Sequence, residues 1–212
     1  MAAFTLQEVE KATGGRLLYP VVDDSVFSQV ETDTRAITEG ALFVALKGET
    51  FDGHDYVLQA KERGAAGAVV AEERPEYKQE GFAVVIVTDT RKAYQDLARF
   101  HRRRFSIPVI AVTGSVGKTS TRSMIAAVLS QKYRVLQTEK NFNNEIGLPK
   151  TLLQLTPEHE ACVVEMGMRG LGQIAELAAI AEPDIGVVTN VGKSHIELLG
   201  SQDNIARAKS EL

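Results

Sequence analysis

The sequence predicts an α/β protein, with a small N-terminal α/β domain over residues 1–88 and a doubly wound parallel-sheet domain over 89–212. Three observations predict it. Short continuous runs rich in Val, Ala and Ile recur along the chain, as expected of strands buried on both faces. From residue 108 onward these runs alternate with segments of helical length, the pattern of a parallel sheet covered by helices. One run also leads directly into a glycine loop that opens a helix. With 212 residues, 44% of them hydrophobic and 25% charged, the chain can bury a core of the size this architecture requires.

Taken in order, the first strand is Ala41-Leu42-Phe43-Val44-Ala45-Leu46. A helix over 56–63 comes next and stops at Gly64, a C-terminal signal. Ala68-Val69-Val70-Ala71 and Ala83-Val84-Val85-Ile86-Val87 complete the strands of the first domain. The helix over 91–104 turns Tyr94, Leu97, Ala98 and Phe100 inward. Its basic end, His101-Arg102-Arg103-Arg104, reads as a solvated terminus whose cations complement the helix dipole. Strands are then expected at 109–112, 134–136, 162–164 and 185–188, with helices at 118–131, near 148–155, and at 173–180. The last helix begins near Asp203, and the chain stops inside it at Leu212. That ending predicts a piece of a longer protein.

A formal net charge of −4 leaves no electrostatic footprint for nucleic acid or an anionic membrane. No run approaches the ~18 apolar residues of a membrane span, and the N-terminus lacks the features of a signal peptide. A cytoplasmic protein is expected. The single cysteine, Cys162, sits in the run Ala161-Cys162-Val163-Val164 and reads as a small core residue.

The sharpest motif is Thr113-Gly114-Ser115-Val116-Gly117-Lys118-Thr119-Ser120. It succeeds a strand and opens an amphipathic helix whose apolar residues are Met124, Ile125, Val128 and Leu129. Glycines there let backbone N–H groups converge on phosphate oxygens, and the helix N-terminus adds partial positive charge. Lys118 is placed to span terminal phosphates and the Thr119 hydroxyl to ligate Mg²⁺. The motif implies ATP or GTP binding, through a loop compressed relative to the general spacing because Gly114 replaces a glycine two residues earlier.

Ligands of open α/β sheets bind beyond the carboxyl ends of the strands, so the residues just after each strand are informative. Glu165 comes directly after Val163-Val164. Thr189-Asn190 come after Val187-Val188, with His195 five residues further on. A carboxylate and an imidazole beside the phosphate loop could complete a metal–nucleotide site.

The order of these motifs resembles that of the Mur ligases. The resemblance rests on the phosphate loop, Asn141-Phe142-Asn143-Asn144-Glu145-Ile146-Gly147-Leu148-Pro149, Glu165-Met166-Gly167-Met168, Thr189-Asn190-Val191-Gly192 with His195, and Ala206-Arg207-Ala208-Lys209. Asp33-Thr34-Arg35, Leu42-Phe43-Val44-Ala45-Leu46-Lys47-Gly48-Glu49 and Phe51-Asp52-Gly53-His54-Asp55 extend it through the N-terminal domain. Within the family these motifs are similar to those of the member that joins D-alanyl-D-alanine to UDP-N-acetylmuramoyl-tripeptide. The resemblance implies an acyl-phosphate mechanism, monomeric at full length, with ATP and Mg²⁺ as cofactors. It implies that Lys118 and the amides of Gly114, Ser115, Val116, Gly117, Thr119 and Ser120 hold the ATP phosphates, with Asn144 in support. Thr119 and Glu165 would serve one Mg²⁺ and His195 a second. Lys209 would be carbamylated, which turns a cation into a metal-binding anion. Thr34 and Arg35 would contact the UDP-sugar, with Lys47 and Gly48 beside them. The C-terminal half of such a ligase lies outside the sequence, so ligation by this chain alone is not expected. Two other readings stay open on the residues: a sister Mur ligase, and a non-catalytic module binding UDP-muramoyl peptide.

Overall fold

The computed structural model describes residues 2–19, 25–194 and 196–212. The chain divides into two compact units, Met1–Phe100 and His101–Leu212, with the division inside a helix. No helix among the described residues is long and apolar enough to cross a membrane.

The first unit opens with β1 (Phe4–Thr5) and α1 (Leu6–Thr13). Its start is a capping box: the Thr5 hydroxyl accepts from the Glu8 N–H at 3.2 Å, and the Glu8 carboxylate accepts from the Thr5 N–H at 2.9 Å. Two of the helix's orphan donors are thereby satisfied. Strand-like runs do not mark this helix, although Thr5-x-x-Glu8 is its signal in the sequence. Then come β2 (Arg16–Leu17), β3 (Val26–Phe27), β4 (Val30–Glu31), β5 (Ala41–Val44), α2 (Val57–Glu62), β6 (Ala65–Val70), β7 (Ala83–Ile86) and α3 (Thr90–Arg102). The strands form a five-stranded sheet in the order β2-β7-β6-β5-β4, parallel except for β2, and a small β1-β3 pair. Phe43, Val57, Ala68, Val70, Tyr77 and Phe82 make the core beneath α2. Each large apolar side chain so buried contributes ~1.5–3 kcal/mol relative to exposure. The buried face of α3 includes Tyr94, Leu97 and Ala98 as the periodicity predicts, while Phe100 is half-buried.

The second unit carries β8 (Val109–Thr113), α4 (Lys118–Leu129), β9 (Val135–Gln137), α5 (Gly147–Leu152), β10 (Ala161–Glu165), α6 (Gln173–Ala181), β11 (Ile185–Val188), α7 (Ile196–Leu199) and α8 (Gln202–Lys209). All four strands are parallel in the order β11-β8-β10-β9. Hence β8 and β10 are central and end side by side, Glu165 pairing with Val112. Cys162 is fully buried in β10, and burial pushes its thiol up to about 12.

Three local expectations differ from the structure. On α4, Met124 and Val128 are exposed, and the helix packs instead through Ala126 with Ile125 and Leu129 against Ile110, Val112 and Val163. The basic end of α3 is not a solvated terminus at His101 and Arg102, which are both buried. The Arg102 guanidinium donates to Ala181 O at 3.0 Å and Phe105 O at 2.7 Å, and His101 Nε2 lies 3.0 Å from Leu155 O. Unpaired carbonyls at the end of α6 take up the cation that the sequence assigned to water. Finally, β11 is largely exposed, as an edge strand with one hydrogen-bonded neighbour among the described residues.

Candidate functional site

The carboxyl ends of β8, β10 and β11 bring the predicted site together in the second unit. Gly114 leaves β8 with φ +147°, and a Cβ built on it would lie 1.8 Å from Thr189 Oγ1. Only glycine lets the loop pass so close to the end of β11. Gly117, at φ +83°, then turns the chain into α4.

The loop is braced from one side by the residues after β11. Asn190 O accepts from the Ser115 N–H and Asn190 Oδ1 from the Val116 N–H, each at 3.1 Å. Thr189 Oγ1 and Asn190 Nδ2 donate to Val116 O at 2.7 and 3.0 Å. Ser115 Oγ accepts from the Gly192 N–H at 2.9 Å. The amides of Ser115 and Val116 therefore shape the loop, while the first-turn amides of α4 remain as the donors lacking intrahelical acceptors. The Val116 side chain points outward, 66% exposed, and Ser120 is exposed as well. The bracing role of Thr189 and Asn190 was hidden in the sequence because it joins residues more than seventy positions apart.

Lys118 Nζ donates to Gly114 O at 2.8 Å, which holds the ammonium at the mouth of the loop. Thr119 Oγ1 donates to Glu165 Oε2 at 2.9 Å, and Asn143 Nδ2 donates to Glu165 Oε1 at 2.8 Å. Glu165 is buried, 2% exposed, and its N–H is taken by Thr138 Oγ1 at 3.0 Å. A buried carboxylate with both oxygens held by neutral donors retains lone pairs for a cation.

The asparagine loop divides its work differently from the expectation that Asn144 supports the site. Asn143 makes the contact to Glu165, whereas Asn144 Oδ1 accepts from the Gly147 N–H at 2.8 Å and caps α5. Both line a cavity of about 420 Å³ together with Gly114, Lys118, Gly167 and Lys209.

Lys209 reaches that cavity from the end of α8 and is buried, 3% exposed. Burial first, and the nearby Lys118 ammonium second, bring its amine down to about 8. His195 lies outside the described residues. Among those described, no three His, Cys, Asp or Glu side chains cluster. The Glu165 carboxylate and the Thr119 hydroxyl, in contact at 2.9 Å, are oxygen groups of the kind that could join water and phosphate around a hard cation.

In the first unit, Thr34 and Arg35 line a separate cavity of about 470 Å³. Lys47 and Gly48 are not on its wall. They form the neighbouring hairpin, where Lys47 Nζ pairs with Asp52 at 3.1 Å and the Gly48 N–H donates to Phe51 O at 2.7 Å.

Residues 112–212 match the Mur ligase middle domain, and residues 26–102 match a model described as the Mur ligase family catalytic domain. The chain is 55% identical over 190 residues to the UDP-N-acetylmuramoyl-tripeptide–D-alanyl-D-alanine ligase of Synechocystis, covering 90% of this chain and 42% of that protein. The crystal structure of MurF from Acinetobacter baumannii superposes with a TM-score of 0.92 at 35% identity, covering 99% of this chain and 46% of that one. The MurF ligase of Thermotoga maritima, solved in complex with ADP, gives a TM-score of 0.79 at 34% identity, covering 86% and 42%. The chain spans less than half the length of these relatives.

Proposed function

This chain belongs to the Mur ligase family, and from that membership we propose that it is the substrate-anchoring and ATP-binding part of a ligase joining D-alanyl-D-alanine to UDP-N-acetylmuramoyl-tripeptide. Residues 1–88 would anchor the UDP-sugar peptide and 89–212 the nucleotide. The reaction would serve peptidoglycan precursor synthesis in the cytoplasm. The observation that carries the reading is the convergence of Lys118, Asn143 and Lys209 on one cavity, with the Thr119–Glu165 contact beside it. The names of the relatives support the choice of substrates.

The chemistry this site suits is transfer of the ATP γ-phosphoryl group to the terminal carboxylate of the tripeptide. The carboxylate oxygen bonds to phosphorus as the bond to the ADP oxygen breaks, giving an acyl phosphate. The amine of D-alanyl-D-alanine then adds to the acyl carbon, and phosphate leaves from the tetrahedral intermediate. Such catalysis is mainly positioning and charge neutralisation. Lys118 and the first-turn amides of α4 would hold the phosphates. Glu165 and Thr119 fit Mg²⁺, which when bound neutralises phosphate charge; His195 would serve a second ion. Lys209 as an ammonium repels a cation, but its amine, brought down to about 8, is available to add CO₂, forming a carbamate and releasing a proton. That product is an anion facing the same cavity.

Calorimetric titration of the chain tests the reading. Mg·ATP should bind, and Lys118→Ala should weaken it by roughly ten-fold or more, about 1.4 kcal/mol. UDP-N-acetylmuramoyl-tripeptide should bind more tightly than the dipeptide analogue. Unchanged nucleotide affinity in Lys118→Ala overturns the phosphate site, and preference for the dipeptide moves the substrate to that of a sister ligase.

A further inference from the structure

The cavity at the carboxyl ends of β8 and β10 carries one cation that the phosphate and metal chemistry leaves unused. Arg169 lies on its wall with Lys118 and Lys209. Lys118 belongs to the phosphate loop and Lys209 is buried, whereas Arg169 is exposed. No carboxylate of the described residues is within ion-pair distance of its guanidinium, Glu145 on the same wall included. Other arginines of this unit are matched, Arg103 by Glu182 and Arg134 by Glu158 at 2.9 Å. An unmatched guanidinium on a cavity wall is a ready partner for an anionic ligand.

The loop that carries Arg169 is held on both sides. Before it, the Gly167 N–H donates to Asn143 O at 2.8 Å. A Cβ built on Gly167 would lie 3.1 Å from the Asn143 side chain, so the two loops touch there. After it, Gln173 Oε1 accepts from the Arg169 N–H at 2.6 Å and the Gly170 N–H at 3.1 Å. Gln173 is the first residue of α6 and lines the same cavity. The backbone that presents the guanidinium is therefore fixed, and a ligand has only the side chain left to order.

Phosphoryl transfer to a carboxylate needs such a group. The acceptor has to approach the γ-phosphate, anion against anion, and the two repel each other most strongly where water is excluded. Lys118 and the first-turn amides of α4 are committed to the phosphates, so they do not hold the acceptor. A guanidinium offers a carboxylate two parallel N–H bonds and sets its plane as well as its distance. Each carboxylate oxygen has two lone pairs, so one can accept from the arginine while the other faces phosphorus.

We propose that Arg169 is the clamp for the terminal carboxylate of the tripeptide, the group that receives the phosphoryl group. The proposal rests on the reading of this cavity as the phosphoryl-transfer site of a tripeptide ligase. It adds the residue that holds the acceptor, directly after the Glu165-Met166-Gly167-Met168 motif, and it assigns Gln173 the task of fixing the loop beneath it.

The experiment titrates the full chain and its Arg169→Ala and Arg169→Lys variants with UDP-N-acetylmuramoyl-tripeptide and with the analogue whose terminal carboxylate is a carboxamide. Saturating Mg²⁺ and a non-hydrolysable ATP analogue are present, so that Lys118 is occupied by phosphate, and the affinity for that nucleotide is measured separately. The wild-type chain is expected to prefer the carboxylate by roughly ten-fold or more. Arg169→Ala should bring the two peptides within a factor of about two by weakening the carboxylate alone, and Arg169→Lys should retain part of the preference. Nucleotide affinity is expected to be the same in all three proteins. No preference in the wild-type chain, a preference that survives in Arg169→Ala, or an equal loss for both peptides overturns the clamp and leaves the ligase reading intact. A loss confined to the nucleotide also overturns it, by assigning Arg169 to the phosphates. Failure of the wild-type chain to bind either peptide overturns both.

Discussion

Lys209 is an ammonium held where charge is disfavoured, out of water and near a second ammonium, Lys118. Its amine is brought down from 10.5 to about 8, so between those values the unfolded chain binds a proton that the folded chain does not. Stability therefore rises with pH through that window, and the penalty is fully present below about 8. Lys209→Met should raise the urea midpoint at pH 7, with the gain shrinking as pH approaches 10.5; a pH-independent difference would remove the electrostatic cause. Glu165 makes the complementary case, a buried carboxylate with Thr119 and Asn143 on its two oxygens. Glu165→Gln should weaken Mg·ATP binding by roughly ten-fold or more while leaving metal-free ATP within a factor of about two. Equal loss with and without Mg²⁺ would remove Glu165 from the metal site. Lys118, Thr119 and Glu165 were legible in the sequence because each lies at or just beyond the carboxyl end of a strand, where the chain enters a loop or helix. Asn143 was not separable from Asn144, since neighbouring amides in a loop differ only in where the turn points them.

At the scale of elements, α6 is capped at both ends by charged side chains distant in sequence. The Glu211 carboxylate accepts from the Gly172 N–H at 2.7 Å and the Ala175 N–H at 3.1 Å. Arg102 donates to Ala181 O at the other end. Negative charge at the N-terminus and positive charge at the C-terminus both complement the macrodipole. Glu211→Ala should cost about 1 kcal/mol in urea unfolding. Arg102→Met should cost about 1–3 kcal/mol, because buried carbonyls lose their donor. No loss in either variant would mean that water satisfies those groups equally well. Positions of α4, α6 and β11 were readable from periodicity and flanking glycines within one or two residues. The caps were not, since a cap from another element has no local signature. The same reason explains the misplaced face of α4: period alone marks Met124 and Val128 as apolar, but the neighbouring strands select Ala126, Ile125 and Leu129.

Across the whole molecule, the parallel sheet of the second unit ends in β11, where Ile185 and Val188 are 53% and 44% exposed. An apolar edge strand paired on one side is a template for association. Sedimentation should show concentration-dependent self-association that Ile185→Lys suppresses; a monomer across the micromolar range would discard the idea. The sequence by itself determined the α/β class, the strand–helix alternation and the phosphate loop, because hydrophobic period, glycine and β-branched composition act over a few residues. It also marked Glu165, through its place directly after a strand, whereas Lys209 was marked only by the resemblance to the Mur ligases. Only the tertiary structure decided that Thr189 and Asn190 brace the loop, that Asn143 reaches Glu165, and that His101 and Arg102 are buried. It alone turned Gln173 onto the amides of Arg169 and Gly170. These are relations between side chains set by sheet order and loop closure, and residues that never neighbour one another along the chain carry no local signal of meeting in space.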